Sequence, residues 1–91
     1  MTRNTLRITH IRLRSVFSEE IIQISQSDPD ADIGLAWATF VTRLIATGFV
    51  RSERDVKDLY RWAFGEDSFT HFAAVYRLSP EAFRSLVREV D

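Results

Sequence analysis

No cysteine occurs in these 91 residues, so neither a disulfide framework nor a thiolate metal site can form, and the redox compartment is left open. Histidine is nearly as scarce. His10 and His71 lie far apart in the chain, and a transition-metal site would need carboxylates assembled around them by the fold. The three glycines, Gly34, Gly48 and Gly65, are too dispersed to cradle a phosphate, and no serine stands in a nucleophile-elbow pattern. No apolar run approaches bilayer length, and the N-terminal arginines are not followed by a signal-type apolar segment. The expectation is therefore a cytoplasmic protein with no membrane association, no cofactor, no metal and no enzymatic activity. Lysine is almost missing as well: eleven of the twelve basic residues are arginine. That bias matches the codon usage of a GC-rich bacterial genome better than selection for bidentate contacts.

What is present is globular. Hydrophobic residues make up 45% and charged residues 27%, which excludes an intrinsically disordered chain. A domain of this size buries only roughly 60 to 65 per cent of its unfolded surface, so its stability margin is thin. The net charge of −1 hides an asymmetry: residues 1–18 carry four arginines and no acid, while residues 19–91 set eight basic residues against thirteen acidic ones. A basic arm over 1–14 and a single acidic domain over 15–91 are expected. Such an arm can grip phosphates or lie across an acidic body, its own or a second copy's.

The punctuation is helical. In "SDPDADIGLAWATFVTRLIATG", Ser27 or Asp28 suits an N-cap, Pro29 an early helical position, and Gly48 a left-handed C-terminal cap. Ile33, Trp37, Phe40, Val41 and Leu44 form one stripe of this helix. The opposite side is Leu35, Ala38, Thr39, Thr42 and Ala46, and Arg43 is the only charge between Asp32 and Arg51. A helix without a polar face is usually central, covered by its neighbours, and in so short a chain a second copy or a partner is expected to cover part of it. "SERDVKDLYRWAFG" opens with a capping box, Ser52 reaching forward and Asp55 reaching back, and closes at Gly65. Its buried stripe is Val56, Leu59, Tyr60, Ala63 and Phe64, and Trp62 points about 130° away from it. Two further amphipathic helices follow from Asp67 and from the Ser79–Pro80 cap. "FSEEIIQI" reads as a helix with Phe17, Ile21 and Ile24 inward. "TLRITHIRLR" alternates in a way that fits an extended arm or an edge strand. The fold class is thus all-α: a compact bundle of four to five short helices with an extended N-terminal arm that can include a short edge strand.

Two patterns bear on ligands. "DPDADIG" places Asp28, Asp30 and Asp32 at alternate positions, like the start of a calcium loop. The sixth and twelfth positions, which must be glycine and glutamate, are Ile33 and Thr39, so these acids serve helix starts instead. "SFTHFAAVYRLSPEAFR", residues 68–84, resembles the second helix-turn-helix of AraC-type transcription activators through Phe72, Tyr76, Ser79, Pro80, Phe83 and Arg84. The resemblance implies a DNA-binding regulator using residues 68–90. It covers under a fifth of the chain, and the segment before Ser79 is about one helical turn shorter than that family's pattern. Thr70, His71, Ala74 and Arg77 also offer a groove only one fixed positive charge.

Six aromatic rings fall between Arg61 and Phe83. Phe64, Phe69, Phe72, Tyr76 and Phe83 lie on inward stripes and are expected in the core. Trp62, Leu35, Ile22 and Leu78 are left pointing outward, and a tryptophan beside a smooth Ala/Thr/Leu face points to a contact between chains. The expected interface is Leu35, Ala38, Thr42, Ala46 and Trp62. The function expected is a non-catalytic protein-interaction module, a small bacterial inhibitor, anti-activator or adaptor that forms a homodimer and covers another protein's surface. Nucleic-acid binding through residues 68–90 is the alternative.

Overall fold

Helix formation begins at the start of what the computed structural model describes, the backbone of residues 3–89 and the side chains of residues 10–88. Five helices follow: α1 (Arg3–Ser27), α2 (Ile33–Ala46), α3 (Glu53–Phe64), α4 (Ser68–Tyr76) and α5 (Pro80–Glu89). The described residues contain no strand, so the all-α bundle expected from the sequence is the observed class.

The extended arm is not. From Arg3 onward its residues continue directly into α1. A lone strand with no sheet to join would leave its backbone groups unpaired, whereas a helix satisfies them internally. Tertiary contacts reinforce the choice: Leu13 is buried, the Arg14 guanidinium lies 5.2 Å from the centre of the Phe64 ring, and His10 Nε2 sits 2.6 Å from the Ala63 carbonyl. These contacts outweigh the β-branched composition, because strand preference is mostly a matter of surroundings. The helix therefore crosses residue 14 without a break, and Leu13, Phe17, Ile21 and Ile24 make one buried stripe along it.

Local chemistry sets the remaining ends. The helix expected from Pro29 starts four residues later, since the Asp28 N–H still bonds the Ile24 carbonyl and closes α1. Residues 28–31 then form the turn, and Asp32 becomes the true cap, its carboxylate accepting from the Gly34 N–H at 2.7 Å. The phenol of Tyr76 donates to the Asp28 carbonyl and pins the turn. The forward half of the α3 capping box forms as read, Ser52 Oγ accepting from the Asp55 N–H, while the Asp55 carboxylate reaches one residue past the cap and accepts from the Arg51 N–H. Gly65 takes φ 71° at the helix end, a left-handed conformation that favours glycine. Asp67 and Ser79 cap the last two helices by accepting from Thr70 and Ala82.

The core is a cluster of rings on a long helix. Phe17 meets Phe40, Tyr60 and Phe64, while Trp37 meets Phe40 and Phe72, all with centroids within 6.2 Å. Each buried ring contributes a few kcal/mol, and favourable tilted or edge contacts add to that. The Trp37 indole N–H reaches out to the Glu53 carboxylate at 3.0 Å, which with Lys57 holds that carboxyl below its ordinary range. The central element is α1 rather than α2, a correction to the sequence reading. At 25 residues α1 is about 37 Å long by helix rise and packs against all four other helices. Two ring-bearing stripes also need revision: Ile22 is buried, and Phe69 is 41% exposed with its edge on Trp37.

Candidate interaction surface

One face of α2 enters the core through Ala36, Trp37, Phe40, Val41 and Leu44. The opposite face enters nothing. Leu35 is 61% exposed, and Ala38, Thr42 and Ala46 are exposed with it. Four of the five residues named from the sequence thus share one solvent-facing surface. Ile45 adds to the same helix face, and past the left-handed turn at Gly48 the side chain of Phe49 is 56% exposed. Phe49 closes over a small apolar depression with Arg12, Leu13 and Val16, so the surface continues onto α1 through Val16.

The polar atoms on this face are already satisfied. The Thr42 hydroxyl donates to the Ala38 carbonyl at 2.8 Å and the Thr39 hydroxyl to the Leu35 carbonyl at 3.0 Å. Both hydroxyl protons are therefore used within the helix. Arg43, the only charge in the helix, is drawn sideways, with its guanidinium 3.8 Å from the Glu20 carboxylate. The result is an apolar stripe with no charge along it, on a molecule that has no surface to spare for one.

Trp62 does not join this stripe. It is 45% exposed on α3, in an edge-to-face contact with His10 whose ring centres lie 5.2 Å apart. His10 lies roughly 120° or more around α1 from Arg12 and Val16, at 100° per residue. The single interface expected from the sequence is therefore two patches on different sides of α1. The missed members, Ile45, Phe49 and Val16, did carry a signal. Leu35, Ala38, Thr42, Ile45 and Phe49 recur at alternate steps of three and four, but Phe49 follows a helix-ending glycine and a helical wheel stops there.

Titratable groups gather elsewhere, at the junction of α1, α3 and α4. The Tyr60 hydroxyl and His71 Nδ1 are 2.8 Å apart. Burial first, and then the Glu66 charge, holds the phenol well above its ordinary pKa of 10, so it keeps its proton and shares a hydrogen bond with Nδ1 whose direction follows the His71 tautomer. Burial pushes the His71 pKa down and the Arg14 charge adds to this, against an opposing pull from Glu66. His71 stacks on Phe64 at 4.7 Å, beside a cleft of about 360 Å³ that Arg14, Val75, Leu78 and Leu86 also line. The arrangement closes one end of the ring cluster. No three His, Asp or Glu side chains among the described residues come together to hold a metal, and no described helix is long and apolar enough to cross a membrane.

The segment that resembles a helix-turn-helix forms α4 and α5. Arg84 lies 3.9 Å from Glu19 of α1, and the exposed Glu81 shares α5 with Arg84 and Arg88. Comparison with protein-family models, curated proteins and solved structures gives no significant match.

Proposed function

We propose that this chain is a non-catalytic protein-interaction module, a small helical regulator of the inhibitor, anti-activator or adaptor type, that covers a surface of another protein with the outward face of α2. The observation that carries the reading is the double-sided apolar character of α2. Its inner face already completes the core, so stability does not require Leu35, Ile45 and Phe49 to be large and apolar on the outside. Exposed apolar area of this extent favours association and aggregation alike, and it is retained where binding uses it.

The test compares baits. The full chain and a Leu35→Glu/Ile45→Glu variant, with matched helicity by circular dichroism, are incubated with lysate of the source cells and the captured proteins identified by mass spectrometry. A partner retained by the parent chain and lost by the variant is the expected result. Captured proteins indifferent to the two substitutions would overturn the assignment of the surface. Duplex DNA is included as a probe. Affinity that falls steeply with salt, and is lost in Arg84→Ala but not in the α2 variant, would replace this reading with a DNA-binding one.

A further inference from the structure

We draw no further inference here: the strongest candidate, the outward apolar face of α2 around Leu35, Ala38, Thr42 and Ile45, carries nothing beyond the reading above, because nothing in the structure shows what covers it.

Discussion

Replacing Trp62 by alanine measures how far this residue belongs to the fold and how far to the surface. The sequence places the ring outside the core, but in the structure its edge rests on His10, and 45% of the residue is exposed. Slightly more than half of a side chain offering roughly 250 Å² is therefore covered, about 130 Å². At ~25 cal/mol per Å² that burial is worth about 3 kcal/mol, an upper bound because the unfolded chain already hides some apolar area. No enclosed cavity follows truncation at an exposed site, so no cavity penalty adds to the loss. Trp62→Ala should cost about 2 kcal/mol, which for a domain of this size lowers Tm by roughly 8 to 16 °C. Far-UV circular dichroism with heating, together with urea titration, reads the loss. Protein concentration is held fixed, since any dimer raises apparent stability by mass action. Phe40→Ala is the reference: Phe40 is fully buried among Phe17, Trp37, Tyr60 and Phe72, and its truncation should cost about 3 to 5 kcal/mol. A Trp62→Ala loss under about 0.5 kcal/mol would refute the packing against α1. A loss equal to that of Phe40→Ala would refute its partial exposure.

His71 predicts a pH dependence. Its pKa lies below the ordinary 6.5 in the folded state, mainly through burial, so the unfolded chain binds the proton more readily. Its contribution to stability is present above pH 6.5 and is lost as pH falls through the lowered folded value. Urea titrations at about pH 7.5 and 5.5 should show a smaller free energy at the acidic value, with the difference reduced in His71→Gln; an unchanged difference would point to other groups. Gly65→Ala should cost about 1 kcal/mol because φ is 71° there. An alanine Cβ would meet nothing within 4 Å, so the loss is conformational, and Gly65→Asn should recover part of it in the same titration.

Features written in short windows were legible in advance. The forward half of the Ser52–Asp55 box, the left-handed glycines at 48 and 65, and the Ser79–Pro80 start need only neighbours within four residues, and each appears in the structure as read. Features that depend on distant residues were not. The early part of α1 alternates as a strand would, and residues far along the chain, among them Trp62, Ala63 and Phe64, supply the contacts that hold it as helix. The same holds for centrality: α2 lacks a polar face, yet α1 is the helix that the others surround, because length decides which element can touch the rest. The outward position of Leu35, Ala38, Thr42 and Ala46 followed from their angle on the helix. Trp62 was separated from them by the width of α1, which no wheel drawn for a single helix contains.

Having α1 as the common support has a consequence for biosynthesis. This helix leaves the ribosome before α2 to α5, the four elements that cover it. During that interval Leu13, Phe17, Ile21 and Ile24 have no native partner, and an isolated amphipathic helix is only marginally stable in water. Native packing must wait for pairings between the two ends of the sequence, which slows folding relative to a bundle built from adjacent hairpins. Until the covering helices follow, the nascent chain thus presents a bare aromatic and aliphatic stripe, a natural landing site for chaperone holdases.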